Sequence, residues 1–410
     1  MPEFADLDLP PIQEEQSVPV DRAERMVQTY RGWDALEQAR GGLEIVDFDL
    51  SDVEGLITFN SRREVLNSLM ELRDQLDGVS AEENFLRARV CGSIAYLRTL
   101  LGQKIPFPDY VRETLGVDVS PFSDEEIEDS RRSVSNHLLS FGLSFTREDR
   151  SRFESDLLIQ NPEQIRQGII GQRDYWLGKL RDSGVPVPKK LQLSVQFAEV
   201  DAYWNNWISG SVQRGITLSI NLHVRKRYDL GRPLVLCLHE ICGHAVQMSI
   251  WRKRISQGQI SQACGLTTVH SPEMFVSEGL GQTVPDLLRE HSFPPEFHLS
   301  RALQYHNLMI LHNAHLMIYE GTPVEAIFEY VHDHLPLSDP DTLDKEIEDR
   351  STNALFRSYL LSYGVAERAI RNIISGCTIA QKRDIFRTMY MVPMTPAQLF
   401  QAARSVRIER

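Results

Sequence analysis

The sequence predicts a soluble, mainly α-helical protein with one small β-sheet. Long stretches place apolar residues at three- and four-residue intervals, for example Leu66, Leu69 and Leu72, which is the spacing of one helix face. Two short segments, 191–200 and 216–223, instead alternate apolar and polar residues, as strands do. Of the 410 residues, 42% are hydrophobic and 25% are charged, proportions typical of a soluble globular protein.

The composition also limits the expected partners and location. A net charge of −13 argues against nucleic acid, because binding a phosphate backbone needs clustered lysines and arginines. The N-terminal residues are acidic and contain prolines, so we expect neither a signal peptide nor a membrane span. Five cysteines without paired spacing predict free thiols in a reducing cytoplasm; they are Cys91, Cys237, Cys242, Cys264 and Cys377.

We expect three regions along the chain. Pro10, Pro11 and Pro19 lie within residues 1–20 and predict a disordered or loosely packed arm there. Residues 21–185 show helical patterning throughout and predict an N-terminal helical lobe. Residues 186–410 contain both predicted strands followed by further helices. At this length, one large helical body with insertions is the alternative to two lobes.

Start signals locate several of the predicted helices. Ser123 followed by acidic residues predicts a helix from about residue 125 to 141, because the acids lie near the positive end of the helix dipole. Asn161 and Pro162 begin another that ends near residue 183. The prolines at 294, 323 and 396 mark the starts of helices in the C-terminal part, where proline suits the first turn.

A metal-binding motif lies in the apolar run 234–251. It contains His239, Glu240 and His244; two neighbouring imidazoles suit zinc, and the glutamate can accept a proton from water. The histidines are five positions apart, which on an ideal helix leaves their side chains about 140° apart. Gly243 therefore predicts a π-type bulge that returns His244 to the His239 face. Cys242 is interpreted as packing, since a catalytic zinc keeps one position open.

A third ligand is predicted at Glu278. It lies in a mostly apolar segment that begins after Ser271 and Pro272, and a buried carboxylate there needs a partner. A metal ion would supply one. The alternative is that a five-spaced histidine pair in a buried helix arises by chance.

The motifs HEICGH and SEGL resemble those of the gluzincin metallopeptidases. The same spacing is similar to that of dipeptidyl peptidase III and of the tyrosine carboxypeptidases, and HEICGHAVQ resembles the HExxPGHHxQ of bacterial metallohydrolases related to the Taq-type carboxypeptidases. The present chain lacks the proline and is one residue shorter there. The resemblance extends from about residue 191 to 364. It implies a gluzincin-like fold, with His239, His244 and Glu278 as zinc ligands and Glu240 as general base.

The resemblance also suggests where substrate and transition state would bind. Strand 216–223 would lie beside the metal helix and present its edge to a peptide. Tyr359, in a Ser-Tyr pair shared with the bacterial group, is the preferred hydroxyl donor to the transition state, and Tyr363 is the alternative. His315 could stabilise an oxyanion, unless it and His312 are surface histidines on a polar helix face.

Two features near the strands have simpler alternatives. Tyr203, Trp204 and Trp207 would line the substrate edge or merely pack in a hairpin. The basic cluster of Arg225, Lys226 and Arg227 would be a solvated turn or a site for a substrate carboxylate.

The sequence thus predicts a zinc-dependent hydrolase that cleaves an amide or peptide bond with metal-activated water, with one zinc per chain. Two other functions remain open. The scaffold could support non-hydrolytic chemistry on a small molecule, with iron or manganese as the metal. Alternatively, the protein could be a catalytically inactive binding protein whose metal is structural or lost.

Overall fold

The computed structural model describes Leu9 and residues 18–42, 44–201, 204–223, 226–288 and 291–408. The predicted arm therefore lies mostly outside the described residues, as do Tyr203 and Arg225. The protein is mainly helical with a small mixed sheet, as the patterning predicts.

Seven helices of the described chain precede the long strands. They are α1 (Val20–Ala39), α2 (Arg62–Gln75), α3 (Ala81–Leu100), α4 (Phe107–Leu115), α5 (Asp124–Leu139), α6 (Arg150–Leu157) and α7 (Pro162–Asp182). Serine side chains accept hydrogen bonds from backbone N–H groups in the first turns of α2, α3 and α5. The cap of α5 is reciprocal, because Glu126 also accepts from the Ser123 backbone, as the start signal there predicts.

The sheet has five described strands in the order β2-β4-β3-β1-β5. Their bounds are β1 (Phe48–Asp49), β2 (Leu193–Ala198), β3 (Asn206–Ser211), β4 (Gly215–Asn221) and β5 (Leu266–Thr267). Strand β4 runs parallel to β2 and antiparallel to β3. Strand β1 pairs with Gly210 and Ser211 at the end of β3 on one side and with β5 on the other.

A single central helix, Arg232–Ser256, crosses the protein core. It consists of α8 (Arg232–Leu236), a π-helical segment (Cys237–Ala245) and α9 (Val246–Ser256). Its length and composition would suit a membrane span, but its apolar window is wholly buried inside the protein. It is therefore a core helix.

The remaining helices surround the central helix. They are α10 (Glu273–Leu287), α11 (Pro295–Glu320), α12 (Val324–His334), α13 (Pro340–Thr352), α14 (Phe356–Ile374), α15 (Ile379–Met391) and α16 (Pro396–Ile408). The main hydrophobic core includes side chains from both sides of residue 185. Arg89 of α3, for example, forms a buried ion pair with Glu273 of α10. The division into two lobes at that position stays a prediction.

Candidate metal centre

The π-helical segment brings the two motif histidines together. In a π-helix the backbone bonds join residues five apart, so side chains at that separation lie on nearly the same face. The Nε2 atoms of His239 and His244 are 3.1 Å apart, and their rings meet edge to face with centroids 4.7 Å apart. The predicted bulge around Gly243 is confirmed.

Helix α10 supplies Glu278 to the same point. Its Oε2 atom lies 3.3 Å from Nε2 of His239 and 3.6 Å from Nε2 of His244. The helices approach closely because two glycines meet where they cross: a Cβ on Gly243 would lie 2.9 Å from the Cα of Gly281. A side chain at either position would push the carboxylate away from the imidazoles.

These three atoms fit a single metal ion. Zinc bonds of about 2.0–2.1 Å at tetrahedral angles would place neighbouring ligand atoms about 3.3 Å apart. All three side chains are buried, and Oε2 of Glu278 has no hydrogen-bond partner. An unpartnered buried carboxylate oxygen is costly, and a cation at this point would remove that cost.

The charges of the cluster depend on one another. Burial raises the pKa of Glu278, but the imidazoles of His239 and His244 beside its carboxylate outweigh burial, so the pKa falls well below its ordinary value. Burial opposes a charge on His244, but the adjacent carboxylate of Glu278 prevails and raises the pKa of His244. A cation would take over the role of the imidazolium as partner of this carboxylate.

The ring of His239 is confined on its other edge. A Cβ at Gly281 would lie 2.7 Å from both Cε1 and Nδ1 of His239, so the backbone of α10 packs directly against this imidazole. Nδ1 of His239 has no hydrogen-bond partner. In many metal sites a hydrogen bond to Nδ1 fixes the orientation of the histidine ring. Here packing against Gly281 fixes the ring of His239 instead.

Glu240 lies beside the three atoms and has a different partner. Its Oε1 accepts a hydrogen bond of 2.6 Å from Nδ2 of Asn206, the first residue of β3. The same oxygen is 3.7 Å from Nε2 of His239. His239, Glu240 and His244 form a group compact enough to hold a metal, but the hydrogen bond to Asn206 holds Glu240 away from the ligand position.

The two predicted tyrosines are joined to Glu278. The Tyr359 hydroxyl donates to Oε1 of Glu278 at 2.9 Å and lies 2.6 Å from the Tyr363 hydroxyl. Since the single proton of Tyr359 is used on Glu278, Tyr359 orients that carboxylate. Tyr363 is more exposed and lines the adjoining cleft. Burial raises the pKa of both tyrosines well above the ordinary value, so both remain protonated at neutral pH.

His315 is not brought to this cluster, which corrects its expected role. Its Nε2 is 3.1 Å from the carbonyl oxygen of Arg357, and its ring packs near Phe107 and Tyr319. His312 likewise bonds the carbonyl oxygen of Ser120. Both are buried rather than surface residues, and Nε2 of each has a backbone partner inside the helical core.

A cleft of about 970 Å³ opens onto His239 and Glu240. Its walls come from β3, the start of the central helix, and helices α10, α11, α13 and α14. Two residues that line it, Arg232 and Gln282, belong to no motif in the sequence. A smaller cavity of about 50 Å³ lies beside Glu278 and β3. Asp47 lines it, and burial, reinforced by neighbouring carboxylates, raises the pKa of Asp47 well above its ordinary value.

The expected substrate edge falls on a different strand. β4 is paired on both sides, with β2 and β3, so it presents no edge, and the prediction for residues 216–223 is wrong. On the β1 side, Asn206 and Ile208 of β3 have no neighbouring strand in the described chain. They lie beside Glu240, and both Trp204 and Trp207 line the cleft.

The basic loop before the central helix is partly neutralised. Arg227 forms an ion pair of 2.8 Å with Glu154, and Lys226 lines the outer cleft. Arg227 therefore has a protein partner and does not need a substrate anion.

No family model and no curated protein matches the chain. Among solved structures, the crystal structure of a protein from Colwellia psychrerythraea, described as a putative lipoprotein, is similar with a TM-score of 0.58. The two chains are 15% identical, and the match covers 84% of this chain and 67% of the other. At this identity the similarity shows a shared fold and nothing about activity.

Proposed function

We propose that the protein is a zinc-dependent hydrolase that cleaves an amide or peptide bond. The observation that carries the proposal is the set of three ligand atoms separated by 3.1–3.6 Å, from His239, His244 and Glu278. A second carboxylate, Glu240, lies next to them on the wall of a cleft. Three protein ligands with one open position are typical of a catalytic zinc site, whereas structural sites are closed by a fourth protein ligand.

Each side chain has a distinct role in this proposal. When bound, zinc would lower the pKa of a water molecule to about 7 and polarise the substrate carbonyl. Glu240 accepts the proton of the attacking water and passes it to the leaving nitrogen. Asn206 holds one oxygen of Glu240 and leaves the other free for that transfer. Tyr363, whose hydroxyl proton bonds the Tyr359 oxygen in this structure, would redirect that proton to the oxyanion that develops on the substrate, and Tyr359 keeps Glu278 oriented.

The open side of β3 supports a peptide as substrate. Asn206 and Ile208 lack a neighbouring strand there in the described chain, and an extended peptide can add to such an edge through main-chain hydrogen bonds. Because Asn206 also holds Glu240, a peptide bound along this edge would run past the general base. A substrate edge beside the metal helix is expected of a gluzincin-like fold. We propose such a fold for the chain, in which β3 provides the edge that was expected of β4.

The proposed location is the cytoplasm, because all five cysteines are free thiols and such thiols persist in a reducing compartment. The alternative comes from the Colwellia protein, whose name describes it as a lipoprotein. Cell fractionation separates the two locations.

Replacing Glu240 with glutamine tests the proposal. The wild-type protein should purify with about one zinc per chain and cleave members of a library of unblocked and end-blocked peptides. E240Q should keep the metal and lose roughly 10²–10⁴-fold in turnover, since general-base catalysis is worth that much. His244→Ala should lose both metal and activity, as removal of a ligand requires.

Three outcomes would contradict the proposal. Full activity in E240Q would refute the assignment of the base. A bound metal with no cleaved amide would favour non-hydrolytic chemistry, with iron or manganese as candidates. Metal-free protein in which E240Q and wild type behave alike would favour an inactive binding protein.

A further inference from the structure

The end of the π-helical segment leaves one backbone carbonyl without a donor from the helix itself. Within the segment each N–H bonds the carbonyl five residues back, whereas in α9 each N–H bonds the carbonyl four residues back. The change from five to four passes over one carbonyl. The N–H of Val246, the first residue of α9, donates to the carbonyl oxygens of Ile241 and Gly243. The carbonyl passed over is therefore that of Cys242.

Tyr390 supplies the missing donor. Its hydroxyl donates to the carbonyl oxygen of Cys242 at 2.7 Å, and a carbonyl can only accept. Tyr390 is next to the last residue of α15, and its side chain is fully buried. Because a buried carbonyl without a donor is costly, this hydroxyl stabilises the π-helical form of the segment.

The end of α15 is tied to the central helix and to α10 at the same place. Nε2 of Gln247 donates to the carbonyl oxygen of Met389 at 2.9 Å, one residue before Tyr390. Oε1 of Gln247 accepts from the hydroxyl of Ser277, which precedes the ligand Glu278 on α10. Gln247 is fully buried. These bonds fix α15 against both ligand-bearing helices, so the tyrosine hydroxyl is held at the carbonyl that it contacts.

The position of the extra residue in the helix decides whether the two histidines meet. Their rings meet only if the wide turn lies between His239 and His244. If it lay outside that interval, ordinary α-helix would join the histidines and leave their side chains about 140° apart. Gly243 permits the close approach of α10, but a glycine does not determine at which carbonyl the wide turn ends. The bond from Tyr390 does, because it holds the carbonyl of Cys242 out of the helix.

We propose that Tyr390 is a positioning residue of the metal centre, because its hydroxyl holds the carbonyl of Cys242 and thereby keeps His239 and His244 in the metal-binding arrangement. The inference rests on the metal centre of the proposed hydrolase and identifies a residue on which that centre depends. Tyr390 lines neither the cleft nor the smaller cavity beside Glu278. It therefore acts through the backbone of the central helix and not on the substrate.

The test removes the hydroxyl and keeps the ring, in Tyr390→Phe. Tyr30→Phe is the matched control, because Tyr30 is also fully buried and its hydroxyl lies 2.7 Å from that of Ser93. That bond joins α1 to α3 and does not involve the central helix. Each variant thus loses one buried hydrogen bond of the same length. Three properties are measured in each: zinc affinity by chelator competition, the absorption spectrum of the cobalt-substituted protein, and hydrogen exchange of the metal-free protein.

The two variants should differ in the metal centre and resemble each other in stability. Zinc affinity should fall about tenfold in Y390F, as when groups that orient metal ligands are removed, and stay within about threefold of wild type in Y30F. At full cobalt occupancy the visible bands of Y390F should be weaker than those of wild type, because water replaces a displaced imidazole and the bands report coordination geometry. A purely structural role of Tyr390 would lower stability and leave this spectrum unchanged.

Hydrogen exchange tests the helix without any metal. In metal-free Y390F, peptides that cover residues 237–247 should exchange about tenfold faster than in wild type, because the segment has lost the donor to its buried carbonyl. In Y30F the exchange rate of these peptides should stay as in wild type.

The results separate this inference from the proposed function. Y390F that binds zinc as tightly as Y30F would overturn the inference, and so would an equal loss of zinc affinity in both variants. A wild-type protein that binds zinc but cleaves no amide would refute the hydrolase, while a selective loss of zinc in Y390F would still support the role of Tyr390. A wild-type protein without zinc affinity would refute the metal centre, and faster exchange confined to Y390F would then show that Tyr390 holds the π-helical segment.

Discussion

Replacing Gly281 with alanine should displace a metal ligand without changing any ligand residue. The added Cβ would lie 2.7 Å from Nδ1 and Cε1 of His239 and 3.1 Å from its Cγ. Carbon atoms in contact prefer about 3.5 Å or more, so the ring has to retreat by roughly 0.8 Å. The clash involves a ring held between two helices, and no flexible chain end is available to absorb it.

The displacement is large compared with what a metal site tolerates. Ligand distances in such sites hold to within about 0.2 Å, so a ring moved by several times that amount no longer bonds well. We expect zinc affinity to fall by at least 10–100-fold, the range found when ligand orientation is lost. Overpacking should also cost about 1–3 kcal/mol in the free energy of unfolding. A competition titration against a chromophoric chelator measures the zinc affinity, and thermal melting of metal-free protein measures the loss of stability.

Gly279→Ala is the matched control on the same helix. Its Cβ would point toward α14, where it would lie 2.3 Å from Cδ1 of Ile370 and 2.9 Å from the Cβ of Ala366, away from the histidine rings. It should reduce stability while zinc affinity stays within about threefold of wild type. If G281A bound zinc as tightly as G279A, the argument that the α10 backbone confines His239 would be wrong.

Two further predictions concern the tyrosine pair and acid stability. Tyr359→Phe should weaken zinc binding about tenfold, because Glu278 loses its orienting donor, whereas Tyr363→Phe should lower kcat and leave zinc affinity unchanged; equal effects on zinc affinity would contradict the division of roles. Burial lowers the pKa of His306 and of His312 to about 4, below the ordinary value of about 6.5. Between these values the unfolded chain binds protons that the folded one does not, so stability is fully present above pH 6.5 and falls as the pH drops toward 4. Each histidine should cost about 2.5 kcal/mol between pH 7 and 4.5. His312→Gln should therefore show a smaller loss over that interval in denaturant titrations of metal-free protein; an unchanged pH dependence would contradict the argument.

The sequence predicts that His239, His244 and Glu278 lie together, because the signals for this grouping are local. Five-residue spacing with Gly243 before the second histidine implies a widened helix, and the π-helical segment has that form. Glu278 could be suggested because a carboxylate in an apolar helix needs a partner. Helix starts such as Ser123 depend on side chains within one turn, and the structure places them as predicted.

Features that depend on distant contacts could not be predicted in the same way. The order of strands in a sheet depends on pairing between remote segments. Period-two alternation therefore identifies β4 as a strand but does not tell which strands lie on either side of it. The burial of His315 follows from a bond to the backbone of α14, which leaves no mark in the local pattern. Arg232 and Gln282 line one cleft although 50 positions separate them in the sequence. In the sequence alone, nothing distinguishes them from other helical polar residues.

The unsatisfied groups around the cleft argue for a ligand-binding site over a purely structural one. Oε2 of Glu278 and Nε2 of Gln282 are buried without partners, and each such group costs about 1–3 kcal/mol. Polar groups that only hold a fold together are normally satisfied within it, as Arg301 is through Gln282 and Glu367. The orphaned acceptor of Glu278 lies between two imidazoles, while the orphaned donor of Gln282 shares the cleft with Arg232. A cation at the first place and a hydrogen-bond acceptor at the second would satisfy both groups.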